Sequence, residues 1–200
     1  PTEAVPNDTA PTVLAALRFD ETGMLRQKAR SVRPSASGDA IPSPLWAGGF
    51  NFCAAATAAL APYDPHLRHM FFAIQAVAPA MIVMSGGSII NLGSNSWWET
   101  VGGFPAYATA KAAVHGLTRT MARDLGQHRI RINTVVPGWI MTDRQKELWA
   151  TPEGLEAHRK SQCLPDLIDP VYVARMVLFL ASDDAAMCTA SNFMIEAGSI

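Results

Sequence analysis

GSIINLGSNSWWETVGGFPAYATAKAAVHGLTRTMARDLGQHRIRINTVVPGWIMT, residues 87–142, changes its hydrophobic period along its length. Ser88 to Leu92 is apolar, partly β-branched and closed by Gly93, which reads as a short buried strand. From Ala106 the period lengthens. Tyr107, Ala110, Val114, Leu117, Met121 and Leu125 recur at three- and four-residue intervals, predicting a helix that ends on a glycine cap at Gly126. Ile130 to Val136 is a second β-rich run, stopped by Pro137-Gly138. A strand, a loop, a helix and a second strand form a βαβ unit, whose crossover makes the two strands parallel.

On that helix Tyr107 and Lys111 sit one turn apart on one face, within the first two turns. A phenol ordinarily titrates near ~10, too high for a base at neutral pH. An ammonium about 4 Å away, at an effective dielectric of ~20, favours the phenolate by roughly 4 kcal/mol, which bounds the shift at about three pKa units. A tyrosine so placed works near neutral pH, where general acid–base catalysis is most efficient. Ser94 lies on the loop after the first strand, at the carboxyl ends of the strands, where open α/β sheets bind their ligands. Its hydroxyl suits donation to a substrate oxygen while Tyr107 exchanges the proton; Ser96 is the alternative. A lone Tyr-x-x-x-Lys also describes a surface lysine laying its stem on a ring. The serine, the tyrosine, the lysine and Pro137-Gly138 within one βαβ unit make the catalytic reading specific.

These residues together resemble the short-chain dehydrogenase/reductase family, whose site is a serine, then Tyr-x-x-x-Lys, then a strand ending in Pro-Gly. The strings Ile90-Asn91-Leu92-Gly93-Ser94, Ser96-Trp97, Tyr107 to Lys111, Val136-Pro137-Gly138, Thr151 to Gly154, Gln162-Cys163-Leu164 and Leu178 to Asp184 liken it to sugar-oxidising members. The likeness runs over about residues 67–200. It implies the second half of a Rossmann-like doubly wound parallel sheet and a cofactor that is NAD or NADP. The substrate implied is a sugar or polyol hydroxyl. It assigns catalysis to Ser94, Tyr107 and Lys111, and cofactor binding to Tyr107, Lys111, Pro137, Gly138 and Thr142. Lys111 would hold the nicotinamide ribose, and Thr142 the nicotinamide amide or pyrophosphate. The family places an asparagine that binds a relay water where this chain has His66. Its members pack subunits through the helix from Leu67 and through the final strand, so a homo-oligomer is expected.

Length and composition set outer bounds. Two hundred residues, 49% of them hydrophobic, suffice for one globular domain with a sizeable core. A net charge of −1 with no basic block implies neither nucleic acid nor an anionic membrane as partner. The apolar run Met70 to Met84 is interrupted by Gln75 and Pro79 and is too short to span a bilayer. No signal-like start is visible at Pro1, and Cys53, Cys163 and Cys188 read as reduced thiols, so a cytoplasmic location without a metal site is expected.

Residues 1–65 form a different text. Eight of the 14 prolines fall there and interrupt every candidate element before a period is established. Pro1 to Pro11 reads as a loose arm, Thr12 to Arg30 as room for one short helix, Arg33 to Pro44 as a loop, and Gly49 to Ala61 as an alanine-rich helical candidate. The resembling family opens with a strand, a G-x-x-x-G-x-G turn and a helix whose N-terminus holds a pyrophosphate. That spacing is absent from residues 1–65, where Gly48-Gly49 is an isolated pair. Four βα units of about 25–30 residues each would need roughly 100 residues. The segment is therefore read as unassigned, either out of frame or a replacement for the nucleotide half, with residues 66–200 as the C-terminal part of the dehydrogenase domain.

From Leu67 the spacing of Met70, Phe71, Ile74, Val77, Ala78 and Met81 predicts a helix. His66 and His69 read as its solvated start rather than a metal pair. Trp97 and Trp98 suit stacking on a sugar ring or packing within the protein, and Gly102-Gly103 reads as a loop hinge. Beyond Gly138 the family uses a substrate lid. Thr151-Pro152 starts a helix there, Asp169-Pro170 starts another, and Trp139, Gln145 and Gln162 are candidate sugar contacts against a default of surface polarity. Asn192 to Ile195 is the last strand. Two functions are carried forward: an NAD(P)-dependent dehydrogenase/reductase, or a catalytically inactive member acting through oligomer packing.

Overall fold

The computed structural model describes residues 66–199. The readings made on residues 1–65, Cys53 among them, lie outside the described residues. Within them the order is α1 (Arg68–Val83), β1 (Gly87–Leu92), α2 (Pro105–Leu125), β2 (Ile130–Pro137), α3 (Asp143–Leu148), α4 (Pro152–Lys160), α5 (Pro170–Ala181) and β3 (Asn192–Ile195).

The three strands form one parallel sheet in the order β1-β2-β3, as the βαβ reading requires. Gly87 pairs with Ile130 and Leu92 with Val135; Thr134 pairs with Asn192 and Pro137 with Ile195. Alternate residues of a strand face opposite layers. Ile89, Ile130 and Ile132 pack with Ile74, Ala78 and Met81 of α1 and with Met121, Ala122 and Leu125 of α2. Ile90 and Val135 pack on the other face with Leu180 of α5 and Ala185. Two helices therefore cover one face and α5 the other. α5 is apolar nearly all round, and Val171, Tyr172 and Leu178 on its outer side remain exposed.

A polar thread crosses this core. The Asn91 Nδ2 donates to Thr118 Oγ1 at 2.9 Å, and Thr118 Oγ1 lies 2.7 Å from Thr134 Oγ1. Thr118 and Thr134 are 0% exposed, so the thread fixes the rotation and height of α2 against both strands.

The helix starts follow local chemistry. Thr151 Oγ1 accepts the N–H of Gly154, Asp169 accepts that of Val171, and a proline stands in the first turn of α2, α4 and α5. α2 ends on Gly126 as its C-cap, where the spacing puts it. Gly126 keeps a right-handed conformation (φ −60°) and the chain continues as a short 3-10 turn to His128. The left-handed residue is Arg129 (φ 59°), whose carbonyl accepts the N–H of Gly87 and so begins the sheet. Gly86 is the glycine the junction needs: a Cβ there would lie 2.8 Å from the Arg129 carbonyl oxygen.

Candidate active site

Gly93 carries β1 into the loop of Ser94, the candidate catalytic serine. Its N–H donates to Val135 O, and a Cβ would meet Thr134 Cγ2 at 2.9 Å, so the chain passes tightly over β2 before turning. Ser94 follows in an extended conformation and is buried. Its Oγ accepts the N–H of Ser96 at 3.2 Å, capping the 3-10 turn Asn95–Trp97, and its own O–H stays available as a donor. Ser96, the alternative serine, is also buried, with an Oγ that has no partner among the described residues. The 3-10 turn lies on α2, with the Trp97 ring 4.7 Å from that of His115.

Tyr107 stands in the first turn of α2, half-buried. His66 meets its ring edge-on at 5.0 Å and Phe104 at 6.1 Å. The Lys111 ammonium lies 5.8 Å from the centre of the same ring and donates to Leu92 O at 2.9 Å. That bond ties the tyrosine helix to the end of β1, two residues before Ser94. Burial holds the Lys111 pKa below the usual lysine range. One N–H of the ammonium is used on Leu92, which leaves two for a ligand.

Pro137 ends β2, and Gly138 donates its N–H to Ile195 O. A Cβ on Gly138 would sit 2.9 Å from Glu196 Cβ and 3.0 Å from Glu196 Cα, so close approach of the segment after β3 already demands glycine here. Thr142 is exposed and N-caps α3 by accepting the N–H of Gln145 at 3.3 Å; its hydroxyl proton remains free to donate. From Ile140 the chain leaves the sheet and returns at Ile168, which bridges to Ile140.

Several expectations change at this point. His66 is no solvated helix start: it is half-buried on the Tyr107 ring, and burial, then Lys111, then His69 lower its pKa. No group of His, Cys, Asp and Glu able to hold a metal occurs among the described residues. Trp97 is spent on packing against His115, whereas Trp98 is 65% exposed. Trp139 donates its Nε1–H to Gln145 Oε1 at 2.8 Å, and its ring meets His158 at 5.1 Å. Gln162 Nε2 donates to Leu164 O and Asp166 O. These three candidate sugar contacts therefore brace their own segment. Sequence reasoning passed over the Asn91–Thr118–Thr134 thread, although Thr118 sits on the buried stripe of α2. Cys163 and Cys188 are free thiols. A cavity of about 510 Å³ opens at the amino ends of β1 and β2, among Gly87, Ile130 and Arg131, at the opposite end of the strands from Ser94. No helix among the described residues is long and apolar enough to cross a membrane.

Comparison with known proteins agrees with this geometry. Residues 60–199 match the family described as Enoyl-(Acyl carrier protein) reductase. Residues 1–73 match a second family, described as Glycosyltransferase (GlcNAc), over too small a share of the chain to place it there. D-xylose 1-dehydrogenase of Caulobacter vibrioides is 50% identical over 133 residues, covering 66% of this chain and 53% of that protein. A probable galactose dehydrogenase of Rhizobium meliloti is 43% identical, with 66% and 52% covered. Among solved structures, 7α-hydroxysteroid dehydrogenase complexed with NADH and 7-oxo glycochenodeoxycholic acid superposes with a TM-score of 0.66 at 32% identity, covering 69% of this chain and 54% of that one. 4-Hydroxyisoleucine dehydrogenase complexed with NADH gives 0.65 at 30% identity, with 68% and 56% covered. The chain thus spans about half the length of the curated relatives it matches. With its parallel sheet, its Ser94 loop and its Tyr107–Lys111 helix face, the chain belongs to the short-chain dehydrogenase/reductase family.

Proposed function

We propose that this chain carries the catalytic half of an NAD(P)-dependent dehydrogenase/reductase acting on a sugar or polyol hydroxyl. The observation that carries the reading is the Lys111–Leu92 bond, which fixes the Tyr107 helix to the strand that delivers Ser94. In alcohol oxidation the Ser94 O–H donates to the substrate oxygen and positions it. Tyr107 accepts the hydroxyl proton on its phenolate oxygen as the C–H bond breaks, and the Lys111 cation stabilises that phenolate before the transfer. The nicotinamide, when bound, supplies the hydride chemistry. The residues present fit its nicotinamide end: the two N–H groups that Lys111 keeps beyond its bond to Leu92 O would hold a ribose, and the Thr142 hydroxyl, with the Pro137-Gly138 turn, would suit the amide or pyrophosphate. The sugar preference is supported by the xylose and galactose dehydrogenase relatives.

A second reading is favoured by two observations. No G-x-x-x-G-x-G spacing occurs in residues 1–65. Among the described residues β1 is paired on one edge, and the outer side of α5 exposes Val171, Tyr172 and Leu178. Such surfaces support a catalytically inactive member that acts through homo-oligomer packing. For residues 1–65, an intact glycine motif in a neighbouring frame of the upstream DNA supports an out-of-frame segment, and its absence supports a replaced one.

Titration of the purified chain with NADH and NADPH, followed by fluorescence, separates the two functions. Saturation at micromolar concentration, about 8 kcal/mol of binding, supports the enzyme, and no binding up to millimolar supports the packing role.

A further inference from the structure

Glu99 lies five residues beyond Ser94, and a single oxygen of its carboxylate is used twice. Oε1 accepts from Asn95 Nδ2 at 2.6 Å and also from the Ser199 hydroxyl. Asn95 and Ser199 are both buried, at 6% and 8% exposure, so the two donors converge on one protected acceptor. Asn95 directly follows the candidate catalytic serine, and its carbonyl accepts the N–H groups of Trp98 and Glu99, which closes the loop into a rigid turn.

Ser199 belongs to a strap, residues 196–199, that runs on from β3. The strap is tight at both ends. Its start leaves no room for a Cβ on Gly138, and at its far end a Cβ on Gly198 (φ +74°) would lie 2.7 Å from Cys163. Ala197 takes the left-handed conformation (φ 57°), which an L residue adopts only when its surroundings hold it there. Two strap carbonyls reach the neighbouring segment: Cys163 donates its N–H to Ala197 O and Gly198 O, and Leu164 donates to Ala197 O. Cys163 and Leu164 lie in the excursion that leaves the sheet at Ile140 and returns at Ile168. A continuous set of hydrogen bonds thus runs from the loop of Ser94 through Glu99 and Ser199 to residues 163–164.

We propose that Glu99 is a positioning residue that locks the Ser94 loop to the strap 196–199, so that this loop and the 140–168 excursion move as one unit. The tie does not depend on the oxidoreductase reading, but its effect on turnover does. It has a readout of each kind. Hydrogen exchange of the full chain, resolved by peptide mass spectrometry, is compared for the wild type, Glu99→Gln, Glu99→Ala and Ser199→Ala. Ser199→Ala should exchange about five- to tenfold faster, the factor that one lost hydrogen bond represents, and Glu99→Ala, which loses two, at least as much, in the peptide over 94–99 and also in the peptide over 161–165. Glu99→Gln keeps an acceptor and should restore slow exchange in both. Acceleration confined to 94–99, no acceleration, or a glutamine variant that behaves as alanine overturns the proposal. Ser199→Ala removes a single hydroxyl and decides the matter by itself if Glu99→Ala does not fold. In a turnover assay the alanine variants should lower kcat several-fold at an unchanged cofactor KM, with rescue by glutamine. A wild-type chain without turnover removes the oxidoreductase reading and leaves the exchange result standing.

Discussion

Thr118→Val is the substitution that probes how the site is held without touching it. Thr118 is fully buried on α2, three turns beyond Tyr107, and its Oγ1 accepts the Asn91 Nδ2–H and is hydrogen-bonded to Thr134 Oγ1. Valine preserves the branched shape, so no cavity opens and the packing term stays small. The loss is polar. Asn91 Nδ2 and Thr134 Oγ1 each lose a partner in a dry interior, at about 1–3 kcal/mol per orphaned group, so the variant should lose about 2–4 kcal/mol after partial relaxation. Urea unfolding followed by circular dichroism measures it. With an m-value of about 2 kcal/mol per molar, the midpoint should fall by roughly 1–2 M. A second effect follows from geometry. The thread sets the rotation of α2, so loosening it should lengthen the time-averaged distance between the Lys111 ammonium and Leu92 O and reduce turnover. A Thr118→Val midpoint within ~0.3 M of the wild type would refute the claim that this thread holds the helix.

Three further outcomes follow. Gly138→Ala forces a Cβ to within 3.0 Å of Glu196 backbone and should cost about 1–3 kcal/mol; a midpoint shift below ~0.5 kcal/mol would show that the strap yields freely. His66, His115 and His158 all have pKa values lowered from 6.5, with burial as the leading cause. A depressed folded-state value means that the unfolded chain binds more protons, so stability is complete above pH ~6.5 and declines as the pH falls through the lowered values. The urea midpoint should therefore drop between pH 7.5 and pH 5, and an equal or higher midpoint at pH 5 contradicts this. Lys111→Met removes the donor to Leu92 O, so exchange of the peptide over 92–96 should accelerate if that bond anchors the loop, and unchanged exchange would show that it does not.

The sequence made the βαβ unit legible because its patterns are clean: a short apolar run through Ile89 and Ile90, and three- and four-residue steps through Val114, Met121 and Leu125. The prolines at 152 and 170 marked helix starts for a local reason, the missing N–H that a first turn does not need, and Pro105 plays the same part in α2. Gly126 marked the end of α2 but not its conformation, since a glycine after a helix suggests a left-handed cap. The chain instead placed Arg129 in that conformation so that its carbonyl reached Gly87, a contact 42 residues distant in sequence. The same limit hid the roles of His66, Trp139 and Gln162. Each is polar or aromatic on a segment without strong period, and its partner is set by tertiary packing. The Asn91–Thr118–Thr134 thread lay in three separate elements, and nothing local in any of them signals the other two.

The most direct test of the central claim is the rate of NAD(P)H formation with D-xylose or D-galactose, measured for the wild type and for Tyr107→Phe under identical conditions. The account predicts sugar-dependent reduction by the wild type and a loss of about 10²–10⁴-fold in the variant, with an unchanged circular dichroism spectrum, because a single phenol oxygen carries the proton. Equal rates in the two proteins would contradict it.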